Sequence, residues 1–189
     1  METALSIAIG LGLAAAAGFR VFVPLLIACV ASRTGHLPLT SGFDWLSTNP
    51  ALIILATATL VEIIAYSVPW LDHVLDLVAT PAAVLAGVLA SAAVMTEMPP
   101  YLKWSLAIIA GGGAAGMVQG ATVLARLKST LATGGLANPL VALAEFSGSV
   151  LTAVLAIAVP LFALLCIGGL CLMVFLVSHR FLFGRRKRA

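Results

Sequence analysis

Long apolar segments with few charges constrain this chain more than any other feature. Residues 4–32 contain one charged side chain, Arg20, and residues 139–179 contain one acid, Glu145. Over the whole sequence, 62% of residues are hydrophobic and 9% are charged, which leaves too little polar surface to cover a water-soluble globule. Continuous apolar runs favour helices over barrel strands, which would alternate in polarity over about 10 residues. The sequence therefore predicts an all-α integral membrane protein.

The length of the chain limits the number of crossings. A bilayer core of about 30 Å needs about 20 helical residues, so 189 residues allow about six transmembrane helices in a single membrane domain. We place them in residues 4–32, 50–68, 71–95 and 101–124, and divide residues 139–179 into two near Pro160. Residues 4–32 are longer than one upright crossing needs and contain Gly18 and Pro24, which predicts a tilted, kinked or broken helix.

The remaining segments are predicted to be loops. In residues 33–49, Phe43 and Trp45 could lie at the level of the lipid headgroups. A second loop is predicted for residues 125–137, which contain Arg126 and Lys128. Five of the ten basic residues crowd the carboxyl terminus, so the net charge of +3 does not suggest a nucleic-acid-binding protein.

Basic residues also predict the orientation. Residues 184–189 form a basic tail that we expect in the cytoplasm. Six crossings would put both termini there, with Arg126 and Lys128 inside and Arg33 and Lys103 outside. Asn-Pro pairs open the second and fifth predicted helices, so residues 1–96 and 101–183 could be two inverted three-helix repeats.

Ionisable side chains concentrate in residues 61–78, where Glu62, Asp72, His73 and Asp76 interrupt apolar sequence. Burying a carboxylate costs several kcal/mol unless it is paired, protonated or metal-bound. These side chains are therefore candidates for an ion-pair or transport site.

Two further residues are expected to join that site. Arg20 is the base at membrane depth and should meet an acid, because an arginine there costs about 2.5 to 3.5 kcal/mol to insert. Glu62 and Glu145 each lie roughly 10 Å from the same end of their predicted helices, at 1.5 Å per residue. We therefore expect them to converge on one site.

Small residues recur at intervals of four in the fourth predicted helix, at Gly112, Gly116 and Gly120. This spacing predicts close packing of helices, either within the chain or in a homo-oligomer. The competing interpretation is an unwound segment at residues 111–113 that lines a substrate path beside Gln119.

Four short motifs carry a family resemblance. They are residues 18–24 (GFRVFVP), Glu62 with Pro69, Asp72 and Asp76 at their spacing, residues 111–120, and Asn138-Pro139 followed by Glu145. With these motifs, most of the chain resembles the bacterial membrane family catalogued as domain of unknown function 4126. The resemblance implies a multi-pass protein of the bacterial plasma membrane and brings no established activity.

The charges leave three classes of function open. In a transporter or channel for an ion or small solute, Arg20 would hold one acid ionised, and Glu62 and Glu145 would be exchangeable sites. In a non-transporting structural or assembly protein, the same charges would only pin helices together. In a membrane-embedded enzyme, Asp72, His73 and Asp76 would ligate a divalent ion, but no second motif of this kind accompanies them. We predict no cofactor and no catalytic residue, and the lipid bilayer is the predicted partner.

Overall fold

The computed structural model describes residues 2–66, 71–165, 168, 169 and 172, without the side chains of residues 71–74. In these residues the helices are α1 (Glu2–Phe19), α2 (Val23–Arg33), α3 (Asn49–Tyr66), α4 (Leu71–Val94), α5 (Pro100–Leu106), α6 (Gly113–Thr133) and α7 (Asn138–Ala158). A short 3₁₀ helix, Asp44–Ser47, precedes α3, and a π-helical segment, Ala107–Gly112, joins α5 to α6. The described part of the chain contains no strand, so the prediction of an all-α protein is confirmed.

Five described helical stretches are long and apolar enough to cross a membrane. They are Glu2–Phe19, Asn49–Tyr66, Leu75–Val94, Pro100–Thr133 and Asn138–Ala158. The predicted division at Pro160 agrees with the end of α7 at Ala158, after which residues 160–165 are again helical. Most of the predicted sixth crossing and the whole basic tail, residues 184–189, lie outside the described residues.

Helix α1 lies at the centre of the bundle and runs antiparallel to α4. Ser91 donates a hydrogen bond to the carbonyl of Gly10 over 3.0 Å, and one turn further along α1, Ala14 faces Gly87. Residues 34–48 cover the same end of α4, where Thr40 Oγ1 donates to the carbonyl of Ala92. We call this the long-loop end of the bundle, and the end that holds residues 134–137 the short-loop end.

The first predicted crossing is a helical hairpin. Helix α2 returns to the long-loop end, where Arg33 Nη2 donates to Asn49 Oδ1 over 2.7 Å, so both ends of residues 4–32 lie at that end. The predicted break therefore exists, and the number of times that residues 4–32 cross a membrane stays a prediction. Pro24 explains the break, because it has no N–H to donate to the carbonyl of Arg20.

The apex of this hairpin lies near the middle of the bundle. Val21, at the apex, belongs to one buried apolar cluster with Ala17 of α1 and Ala83 of α4. Ala83 is the thirteenth of the 24 residues of α4, so at 1.5 Å per residue the apex lies about 18 Å from either end of that helix. Two helix ends therefore meet near the middle of the bundle.

Two predicted loop features are corrected. Helix α6 continues through the predicted loop at residues 125–137 as far as Thr133 and ends where Gly134 adopts a φ of 65°. In residues 34–48, Trp45 is 52% exposed but Phe43 is 9% exposed and packs into the core. Only Trp45 of this pair is therefore exposed, and the level of both side chains in a membrane stays a prediction.

Glycines allow α1, α4 and α6 to pack closely. A Cβ atom on Gly18 would lie 2.5 Å from the carbonyl oxygen of Ala115, and one on Gly87 would lie 2.5 Å from the Cβ of Ala115. Of the three glycines singled out in the sequence, Gly112 and Gly116 face valines of α4, whereas Gly120 faces open space. The predicted close packing thus involves two of the three glycines. Residues 111–113, for which an unwound segment was the competing interpretation, are helical.

The predicted inverted repeats find no support in the first element of each half. Residues 2–33 form a hairpin of two helices, whereas residues 100–133 form one continuous helical stretch. The last element of the second half lies mostly outside the described residues, so the repeat stays a prediction.

Candidate functional site

Charged side chains from five parts of the chain meet between the hairpin apex and the short-loop end. We call this group the charge cluster, and its members are Arg20, Glu62, Tyr66, Asp76, Arg126 and Glu145. They come from the apex, α3, α4, α6 and α7. Each is buried except Asp76, which is half-buried.

Arg126 is the most heavily bonded member. Its Nε donates to Glu145 Oε1 over 2.9 Å and its Nη2 donates to Glu145 Oε2, so the two side chains form a bidentate pair. The remaining terminal nitrogen, Nη1, donates to Asp76 Oδ1. Because Arg126 is 3% exposed, these two acids supply the charge compensation that a buried guanidinium needs.

Arg20 lies on the other side of Glu145. Its Nη2 donates to the backbone carbonyl of Ala142 over 3.0 Å and lies 3.5 Å from Glu145 Oε2. Its Nε and Nη1 find no hydrogen-bond partner among the described residues, although the side chain is buried. Arg20 therefore keeps donor capacity that the described protein groups do not use.

Glu62 binds backbone rather than a basic side chain. Its Oε1 accepts from the N–H of Val21 over 2.8 Å, and its Oε2 accepts from the N–H of Phe22 over 3.2 Å. These N–H groups are at the apex, next to the amino end of α2, where the helix dipole favours a negative charge. Glu62 thereby fixes the apex against α3.

Tyr66 packs against both guanidinium groups. The Cζ atoms of Arg20 and Arg126 lie 4.0 Å and 4.1 Å from the centre of its ring, within cation–π distance. Its hydroxyl donates to Asp76 Oδ1 over 3.3 Å. The ring therefore connects two like charges that would otherwise repel each other.

Comparison with known proteins shows the family of this chain. The family described as a domain of unknown function, DUF4126, matches residues 7–180. The chain belongs to this family. Neither the comparison with curated proteins nor the one with solved structures found a match.

For this DUF4126 protein, the structure brings together four of the residues singled out in the sequence. Arg20, Glu62, Asp76 and Glu145 all belong to the charge cluster. The side chains of Asp72 and His73 lie outside the described residues. Among the side chains that are described, no group of three or more acidic, histidine or cysteine residues could hold a metal ion.

Gln119 lies apart from the cluster. It is 2% exposed, on α6 beside Gly18, and its Nε2 has no hydrogen-bond partner in the described part of the chain. No described hydrogen bond links it to the charge cluster, so it stays a candidate by position only.

Two members of the cluster, Arg126 and Tyr66, are not among the residues singled out in the sequence. Arg126 falls in a predicted loop, although the Gly134-Gly135 pair is a helix-ending signal that extends α6 past it. Arg126 also lies two turns after Gln119, on the same face of a helix. Tyr66 carried no comparable signal, because a tyrosine in an apolar helix is an ordinary core residue.

An apolar cleft opens beside the cluster, between α3 and α4. It has a volume of about 590 Å³, and Val21, Phe22, Glu62 and Tyr66 lie along its wall. Its other lining residues are apolar apart from Thr57. The cleft therefore presents an almost wholly apolar surface beside the hairpin apex.

Proposed function

We propose that this protein is a small membrane transporter or channel for an ion or small solute. The observation that carries the proposal is the hairpin apex. There α1 ends and α2 begins, near the middle of the bundle and beside Glu62 and Arg20. Helices that are interrupted in the membrane expose backbone dipoles, and transporters use such ends as binding sites.

The charge cluster would then act as a seal between the apex and the short-loop end. Arg126 ties α6 to α7 through Glu145 and to α4 through Asp76, so a path through this end requires these pairs to separate. Glu62 is the better candidate for an exchangeable carboxylate, because backbone N–H groups bind it and it lines the cleft. Glu145, held by two arginines, is the better candidate for a gate.

The second candidate is a structural or assembly protein. It is favoured by one observation: Glu62, Asp76 and Glu145 each have a hydrogen-bonding partner in the described structure. Buried charges that are compensated in this way need no role beyond positioning the helices. Access of water to Glu62 separates the two candidates, because a transport site needs it and a structural pair does not.

The orientation is part of the proposal and rests on the predicted basic tail. Among the described residues, Lys128 lies towards the short-loop end, Arg33 and Lys103 lie towards the long-loop end, and Arg126 is buried in the charge cluster, so a cytoplasmic short-loop end depends on residues 184–189. The amino terminus would then face outward, opposite to the sequence prediction, because α1 begins at the long-loop end. The basic tail stays a prediction for the cytoplasmic side.

Flux through purified protein in proteoliposomes tests the proposal. A pH-sensitive dye and a panel of monovalent cations, divalent cations and small organic solutes would be compared for wild type, Glu62→Gln and Glu97→Gln. Glu97 is exposed at the end of α4 and provides a matched control. We expect flux in wild type and in Glu97→Gln and its loss in Glu62→Gln. Folded protein without flux of any solute would favour the structural candidate.

A further inference from the structure

The hairpin apex combines the amino end of a helix with a buried arginine that keeps unused donors. Helix α2 begins at Val23 and has 11 residues, so the positive end of its dipole lies at the apex. Arg20, three residues earlier, is 2% exposed, and its Nε and Nη1 have no acceptor among the described residues. A buried donor without an acceptor is costly, and a charged one more so. Both features therefore favour a negatively charged acceptor at the apex.

The backbone of the apex already binds a carboxylate. Glu62 Oε1 accepts from the N–H of Val21 over 2.8 Å, and Glu62 Oε2 accepts from the N–H of Phe22 over 3.2 Å. Two successive N–H groups that each bind one oxygen of the same carboxylate match the shape of that group, whether it belongs to the protein or to a solute. Glu62 thus occupies a carboxylate site and shows which chemistry fits it.

Of the two arginines in the charge cluster, Arg20 is the one with capacity for another acceptor. Arg126 uses all three of its guanidinium nitrogens, two on Glu145 and one on Asp76. Glu145 therefore receives a hydrogen bond from Arg126 on each oxygen. Arg20 Nη2 stays 3.5 Å from Glu145 Oε2, which is longer than an N–H···O hydrogen bond of about 2.7 to 3.2 Å.

We propose that the apex binds a small carboxylate solute, which replaces the Glu62 carboxylate on the N–H groups of Val21 and Phe22 and accepts hydrogen bonds from Arg20. This inference rests on the proposed function and names the substrate class of that site. One carboxylate takes the place of another, so the donors of the apex are bound in both states. The exchange also releases the contact that fixes the apex to α3, which couples solute binding to movement of the hairpin.

The exchange also moves a proton. An ionised carboxylate without donors is costly to bury, so the displaced Glu62 takes up a proton from solution as the anion binds. One anion and one proton then enter together, and the net charge of the site is unchanged. The other ionisable side chains described around the apex are those of the charge cluster, namely Arg20, Tyr66, Asp76, Arg126 and Glu145.

Equilibrium dialysis of radiolabelled acetate against the purified full-length protein in detergent tests the proposal. We expect saturable binding that unlabelled acetate displaces at least about tenfold better than acetamide, its uncharged isostere, because a charged hydrogen bond is lost. Arg20→Gln should weaken binding at least about tenfold for the same reason. Lys128→Gln, exposed on α6, is the control and should bind like wild type.

Glu62→Gln gives a second test that does not depend on the folding of the Arg20 variant. It should bind acetate as tightly as wild type or more tightly, because the internal competitor has lost its charge. Acetate should take up protons from weakly buffered solution with wild type and none with Glu62→Gln. Folded wild type without saturable acetate binding would overturn the proposal, as would equal displacement by acetate and acetamide or weaker binding in Glu62→Gln. Selective binding without flux would overturn the transport function alone, and cation flux without acetate binding would overturn only this inference.

Discussion

Arg126 and Glu145, 19 residues apart in the sequence, form a bidentate ion pair that is buried between α6 and α7. The pair closes an antiparallel helix hairpin whose turn is at residues 134–137. Because Asp76 and Arg20 also contact it, it connects four parts of the bundle.

Removing one partner of this pair should destabilise the protein strongly. Arg126→Gln and Glu145→Gln should each lower the free energy of unfolding by about 3 to 5 kcal/mol, because a buried charge loses the partner that binds it with two hydrogen bonds. The double variant should lose less than the sum. Thermal unfolding in detergent measures this, with Lys128→Gln, exposed on the same helix, as the control. Additive losses would show that the two side chains are not coupled.

Tyr66 should matter more for its ring than for its hydroxyl. Tyr66→Phe keeps the ring beside Arg20 and Arg126 and loses one hydrogen bond, so it should cost about 1 kcal/mol. Tyr66→Ala removes the ring and leaves a cavity, which should cost about 3 to 5 kcal/mol. Unfolding of both variants in the same detergent gives the comparison. Equal losses of stability in the two variants would mean that the contacts of the ring with Arg20 and Arg126 do not stabilise the protein.

The helix hairpin makes a topological prediction. Single cysteines introduced at Thr3 and His36 in a cysteine-free background should react with an impermeant thiol reagent from the same side of the membrane, because both are exposed at the long-loop end. A cysteine at Ala132, exposed near the short-loop end, should react from the opposite side. Labelling in intact and permeabilised cells makes the distinction. Protection of Thr3→Cys under conditions that label His36→Cys would restore a single crossing by residues 4–32.

Close packing at Gly18 predicts a difference between two glycine substitutions. Gly18→Ala should destabilise the bundle, since the new Cβ would lie 2.5 Å from the carbonyl of Ala115, and overpacking costs about 1 to 3 kcal/mol. Gly120→Ala should be neutral or slightly stabilising, because nothing lies within 4 Å of its Cβ position. Melting temperatures of the two variants in one detergent test this. A stable Gly18→Ala protein would mean that α1 and α6 can move apart without cost.

The class of the fold could be predicted because it depends on composition and segment length. A membrane protein with apolar helices follows from the hydrophobic content, and the starts of α3 and α7 follow from Asn-Pro pairs at their first positions. The break near Pro24 was also predictable, since a proline in the interior of a helical run removes a helix hydrogen bond.

The direction taken after that break was not predictable from local rules. Whether residues 23–33 continue across the bundle or turn back depends on what packs around them, here Ala83 beside the apex and Asn49 beside Arg33. Residues 23–33 are apolar enough for either arrangement, so their composition does not distinguish the two.

Residue type and apolar surroundings identify the side chains that are expensive to bury, and Arg20, Glu62, Asp76 and Glu145 are recognisable in the sequence for that reason. Their partners follow only from the fold. It gave Glu62 the apex N–H groups instead of an arginine, and it placed Arg126 in the cluster. The physical reason is that desolvation cost is a property of one residue, whereas its compensation depends on groups that folding brings from distant parts of the chain.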